Sequence, residues 1–253
     1  MKALKTDLAV FKTLDFLKPP VGVKFSFFKP EGIEPLAMSK NLSFCEMLVE
    51  AQNTAAPFYF SKKNSEACIG KILLGMEKME GFAESGQIGA RLGIFQEPRA
   101  NYAFYKHVPK FDCGVVNYVA FSPLDKLTYV PDVLVLTATP AQAEIVLRAM
   151  TYSTGELYES RTTPVMGCAW TFIYPYQSGK VNFLTPALVH GMKGRELFQE
   201  NAMLVSIPYQ WLPAISANLK EMKIHLPSHE SKAKYLAEFG KIMGELVEEA
   251  KTP

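Results

Sequence analysis

The sequence predicts an α+β fold, a single globular domain over residues 1–253 with a mixed β-sheet flanked by helices. Three observations predict it. Stretches with strand-like alternation and stretches with helical periodicity intermix along the chain without a strict βα repeat. No internal repeat, linker or low-complexity segment divides the chain. At 253 residues, 48% hydrophobic and 21% charged, it has the length and composition to bury a sizeable core without staples.

Leu4, Leu8, Phe11 and Leu14 recur at helical spacing, so an amphipathic helix opens the chain, and Pro19-Pro20 stops it. Val21 to Phe28 alternates in the manner of a strand. Phe44 to Ala51 reads as a short helix and Phe58-Tyr59-Phe60 as a short aromatic strand. Ser65 is placed to cap a helix that carries Cys68 in its first turn and Ile69, Ile72, Leu73 and Met76 on one side. Gly86, Gly89 and Gly93 break the next region into turns; their spacing does not match a dinucleotide-binding loop.

Asn117 to Phe121 and Val133 to Thr137 are strands separated by the turn-rich SPLDKLTYVPD. Thr139 then caps a helix with Pro140 in its first turn. In that helix Ile145, Val146, Ala149 and Met150 face the sheet, and Gln142 and Glu144 face solvent or a pocket rim. A helix or aromatic strand with Trp170, Phe172, Ile173 and Tyr174 begins near Gly167. Val181 to Leu184 and Met203 to Ile207 are strands. Pro208 opens a helix with Trp211, Leu212 and Ile215 inward. A last helix from about Ser231 buries Tyr235, Leu236, Phe239, Ile242, Met243 and Leu246.

A formal charge of +2 and the absence of any lysine-arginine run argue against nucleic acid as a partner. The N-terminus carries charges every few residues and lacks a signal-peptide core, and no segment approaches the length of a membrane span. A cytoplasmic protein with no membrane partner is expected, with its four cysteines reduced or serving as ligands. There is no P-loop, no CxxC, no HExxH and no GxSxG. His225 and His229 have helical spacing, but Pro227 between them disfavours a histidine metal pair.

Cys45, Cys68 and Cys168 each lie at or near a predicted helix start, where the helix dipole and free N–H groups favour a thiolate. Three such thiolates suit a soft metal or an iron–sulfur cluster; buried cysteine also serves as a small core hydrophobe. Cys113, in a turn beside Asp112 and Gly114, stands apart. The stretch VHGMKGRELF places glycines around Lys193 and just before Arg195. It fits a backbone approaching an anionic ligand, and equally a strand ending in a tight turn.

These motifs carry a resemblance. CEML at Cys45, CIGKILLG at Cys68, VAFSPL from Val119, PDVLVLTATPAQAEIVLRA from Pro131, Gly167-Cys168 and HGMKGR ending at Arg195 resemble one prokaryotic family. It is the family called domain of unknown function 169, frequent in archaea and anaerobes, and the resemblance covers nearly the whole chain. Members typically carry cysteine at the positions of Cys45, Cys68 and Cys168, which implies that the three belong to one site. Many have a glycine-cysteine pair where this chain reads Gly191-Met192, so the resemblance implies a thioether in place of a fourth thiolate.

The expectation is a cytosolic redox or cofactor-handling protein of anaerobic metabolism. Cys45, Cys68 and Cys168 would ligate an iron–sulfur cluster or other soft metal, Met192 would contact it, and Lys193 and Arg195 would balance its charge. A non-catalytic binding protein for a large cofactor such as a tetrapyrrole is the second expectation. A metal-free thiol-dependent enzyme is the third. The partner is then a small-molecule cofactor or an electron-transfer protein, and a homo-oligomer is compatible with either. Arg195 needs an anion, supplied by an internal carboxylate or by the ligand.

Overall fold

The computed structural model describes residues 6–37, 40–54, 56–64, 68–79 and 81–251. Its centre is a seven-stranded sheet in the order β2-β3-β4-β1-β5-β7-β6. The strands are β1 (Lys18–Ser26), β2 (Glu34–Pro35), β3 (Phe58–Ser61), β4 (Tyr118–Pro123), β5 (Val133–Ala138), β6 (Asn182–Leu184) and β7 (Met203–Pro208). β2 and β3 run parallel and every other neighbouring pair antiparallel, so the sheet is mixed and the class is α+β, as predicted.

Alternation along the strands sorts side chains between two layers. Val21, Val23 and Phe25 of β1, Phe58 and Phe60 of β3, Val119 and Phe121 of β4, and Val133 and Val135 of β5 enter one core. α1 (Phe44–Thr54), α2 (Ile69–Leu73) and the π-helical turn Ala169–Ile173, which runs into α7 (Tyr174–Ser178), cover that face. Leu134, Leu136 and Ala138 of β5 and Val205 and Ile207 of β7 point the other way, under α6 (Pro140–Thr151) and α9 (Leu212–Glu221). A small third cluster joins Ile33, Tyr59, Ala120 and Tyr129 beyond β3 and β4.

Local signals act as their chemistry dictates. Thr139 accepts from the Gln142 N–H while the Gln142 side chain accepts from the Thr139 N–H, a complete capping box. Gln142 also donates to the carbonyls of Leu14 and Asp15, which ties α6 to the first segment. Val146, Ala149 and Met150 are buried, Ile145 packs at the edge of the same core, and Glu144 pairs outward with Arg148.

Several expectations need correction. The first described helix is a 3-10 turn, Ala9–Leu14, and Leu4 lies outside the described residues. Pro19 and Pro20 stop no helix; they sit inside β1, where its register against β5 shifts between Lys18 and Val21 and where pairing with β4 has not begun. A missing N–H is tolerated there because the regular ladder does not use it. The Gly86–Gly93 region is not only turns. It contains α4 (Gln87–Arg91), preceded by α3 (Gly81–Glu84) and followed by α5 (Pro98–Tyr105). Gly86 has φ of 75°, and a Cβ there would lie 2.1 Å from the Pro98 carbonyl oxygen, so glycine serves a left-handed turn under close packing. The residues of HGMKGR form no strand; most of them make α8 (His190–Gly194), a single short helix.

The largest correction concerns the last helix. α10 (Pro227–Glu230) leads into α11 (Lys232–Glu249), and no residue of α11 is buried. Its apolar residues Tyr235, Leu236, Phe239, Ile242, Met243 and Leu246 remain 44–52% exposed. The helical pattern is real, but both faces of the sheet are already covered, and α11 adjoins chiefly the short α10 that precedes it in the chain. Trp211 is also less inward than expected: it is only partly buried and donates to the Gly179 carbonyl at 3.0 Å, while Leu212 and Ile215 fill the core.

Candidate functional site

α1 begins with a local capping signal that apolar periodicity does not reveal. Ser43 stands at its N-terminus and Glu46 three residues on: the Glu46 carboxylate accepts from the Ser43 N–H at 2.8 Å and from its hydroxyl at 2.5 Å. The Glu46 N–H in turn lies 3.4 Å from the Ser43 hydroxyl. This Ser-x-x-Glu box, readable as SFCE, fixes the first turn and with it Cys45.

Cys68 is the residue that caps α2: its backbone is extended and its sulfur accepts from the Gly70 N–H at 3.3 Å. Ser65, the expected cap, lies outside the described residues. Gly70 lets α2 touch α1, since a Cβ there would fall 2.5 Å from the Phe44 Cβ and 3.1 Å from the Cys68 sulfur. Cys168 is buried and directly precedes the π-helical turn, a rare geometry that recurs at functional sites. Beside it, Gly167 leaves room for α8: a Cβ there would lie 2.8 Å from Met192 Cε and 2.9 Å from Val189 Cγ1.

These segments enclose one cavity of about 380 Å³. Cys45, Cys68 and Cys168 all line it, with Met192 and Arg195. Met166, Ile69 and Val189 make the wall apolar, and the exposed Ile88 and Leu92 stand at the rim. Cys45 and Cys168 face the same cavity wall. The adjacent Cys45 side chain, burial and the nearby Cys68 sulfur push the Cys168 thiol well above its ordinary range. That shift favours the neutral thiol of Cys168. Among the described residues no group of three or more His, Cys, Asp or Glu side chains stands arranged to hold a metal ion.

Arg195 meets a carboxylate of the protein: its guanidinium lies 3.2 Å from Glu46, the same residue that boxes Ser43. The pair is half-exposed and bridges α8 to the start of α1. Lys193 is exposed and does not line the cavity. Cys113 is exposed and does not line it either. His229 donates no metal geometry; its Nδ1 accepts from the Leu226 N–H and its Nε2 lies 3.5 Å from Glu144.

Three features of the site escaped sequence reasoning. The capping box at Ser43 had a local signal. The roles of Gly70 and Gly167 as points of close approach had none, because the neighbours they admit, Phe44 and Met192, are remote in sequence. The Glu46–Arg195 pair was equally hidden.

No helix among the described residues is long and apolar enough to cross a membrane. No curated protein and no solved structure matches the chain. A family model described as DUF169, uncharacterised ArCR, matches residues 11–218, a span that holds every strand and all three cavity cysteines, and the chain belongs to that family.

Proposed function

We propose that this cavity is a cofactor-handling site in which Cys45, Cys68 and Cys168 hold a soft metal centre, an iron–sulfur cluster being the class that suits them best. One observation carries the reading: three cysteines from three remote segments line one apolar cavity, while the fourth lies exposed elsewhere. Thiolates are the ligands iron–sulfur clusters use, and three of them leave one position for Met192 or an exogenous ligand. The donor set fits in kind. It is not closed in geometry, so binding would require the thiols to turn toward the centre and lose their protons. A positive centre would supply what the crowded sulfurs lack, a reason to ionise. The cavity volume lies at the low end of ligand sites and favours a compact centre over a tetrapyrrole. When bound, such a centre would supply electron transfer or Lewis acidity, and Arg195 with Glu46 would hold the rim.

The test is anaerobic purification and reconstitution with iron and sulfide, read as bound metal, acid-labile sulfide and visible absorbance. Cys45→Ser, Cys68→Ser and Cys168→Ser should each lower metal content, and Cys113→Ser should leave it unchanged. Equal metal content in all four variants, or none in the wild type, rejects the reading.

The placement of Cys45 and Cys168 on the wall of one cavity favours a second reading, a dithiol that two-electron oxidation by a disulfide-class oxidant converts to a disulfide, each thiol losing one proton and one electron. Thiol counting and intact mass before and after such an oxidant distinguish it: a loss of two thiols that requires both Cys45 and Cys168, in metal-free protein, selects this reading.

A further inference from the structure

α11 is an 18-residue helix whose whole length is exposed. Gly240 and Gly244 in its interior weaken it as an isolated helix, and most helical stability comes from packing an apolar face. The face is present. Leu236 and Met243 alternate with Phe239 and Leu246 at steps of three and four residues, the spacing of a two-helix seam, and Ala250 continues it. Tyr235 and Ile242 widen the stripe on one flank and Val247 on the other. Nothing among the described residues covers it.

We infer that α11 is a docking surface for α11 of a second copy of this chain, paired antiparallel about a two-fold axis. Three arguments select this occupant. The first is seam geometry. A two-fold crossing between Phe239 and Met243 stacks Leu236 on Leu246 of the second copy and Phe239 on Met243 of the second copy, so the four central layers are apolar. An isologous contact needs such a self-complementary patch.

The second is charge. Lys232 begins the seam and Glu249 ends it, so antiparallel pairing sets each Lys232 near Glu249 of the second copy. Parallel pairing would bring like-charged ends together. Over the helix, Lys232, Lys234 and Lys241 are outnumbered by Glu238, Glu245, Glu248 and Glu249. That balance is wrong for an anionic lipid surface, which selects basic polar faces.

The third is area. Seven large side chains per helix, each about half exposed, give two copies on the order of 1,000 Å² to bury, the lower bound for a specific interface. α11 lies beyond the family match at residues 11–218.

The experiment is sedimentation velocity on the full chain in reducing buffer across the micromolar range. The wild type should sediment as a concentration-dependent dimer. Phe239→Glu and Leu246→Glu should each give a monomer whose domain melting transition is retained, since neither side chain packs on the sheet. Lys232→Glu or Glu249→Lys should each weaken association by roughly 2- to 10-fold, and the double reversal should restore it. A monomeric wild type overturns the proposal, as does a dimer that survives Phe239→Glu. A monomeric wild type that pellets with vesicles of anionic phospholipid also overturns it and assigns the face to a lipid surface. A double reversal that fails to restore association overturns the antiparallel order.

Discussion

α1 and α11 are both amphipathic helices opened by a serine cap, and they meet opposite fates. α1 buries Phe44, Met47 and Leu48 under the sheet; α11, longer and with a wider apolar stripe, buries nothing. Phe44 is 1% exposed and packs against Phe60, Phe121 and Phe172, whereas Phe239 is 51% exposed and, among the described rings, meets only Tyr235. The contrast teaches that an apolar stripe specifies a need for cover, not its source. α1 finds cover because β3, β4 and β1 present a matching apolar face.

The comparison breaks most sharply at those two phenylalanines. Phe44→Ala should lower unfolding free energy by about 3–5 kcal/mol, the cost of truncating a fully buried aromatic. Phe239→Ala should shift the domain's denaturant midpoint by an amount equivalent to less than about 0.5 kcal/mol in dilute protein. Comparable losses in urea titrations of the two variants would mean that α11 packs on the domain after all.

The glycines give a second, smaller contrast. Gly167→Ala forces a methyl against Met192 and Val189 and should cost about 1–3 kcal/mol. Gly191→Ala, on the cavity rim with open space around it, should be neutral or slightly stabilising. Thermal melts of the two variants check this, and equal melting temperatures would remove Gly167 as the contact that seats α8 beside Cys168.

The caps sharpen the comparison further. Ser43→Ala should cost about 1 kcal/mol of global stability, because α1 is part of the cooperative core. Ser231 accepts from the Lys234 N–H at 3.2 Å in the same manner, yet Ser231→Ala should lower only the helical circular dichroism of α11 and leave the domain midpoint in place. A midpoint shift as large as that of Ser43→Ala would couple α11 to the domain.

The smallest effect belongs to Gly244 of α11, where a Cβ would point into open space. Gly244→Ala should raise the helicity of α11, by the propensity gain of about 1 kcal/mol, without moving the domain transition. Amide exchange along α11, slowed there and unchanged in α1, is the readout.

Legibility followed the range of the interaction. Thr139-Pro140 announced α6, and short apolar runs bounded by turn residues announced β4, β5 and β7, because caps and turns act within a few residues. Pro19-Pro20 misled because the irregular pairing of β1 with β5 excuses them, and that pairing joins Lys18 to Thr137. Arg195 demanded an anion from sequence, but only the approach of α8 to α1 made that anion Glu46.

Sequence alone sufficed for the mixed α+β class, for α1, α6 and α11 and most of the long strands, and for singling out Cys113 from the other three cysteines; it missed α3 to α5 and α8. What it resolved follows from local hydrogen bonding and from side-chain period. The tertiary structure decided that Cys45, Cys68 and Cys168 share a cavity, that Lys193 stays outside it, and that α11 is left uncovered. Each of these depends on which strands pair and which faces are already filled, since burial is a property of the whole packed sheet and no window of sequence contains it.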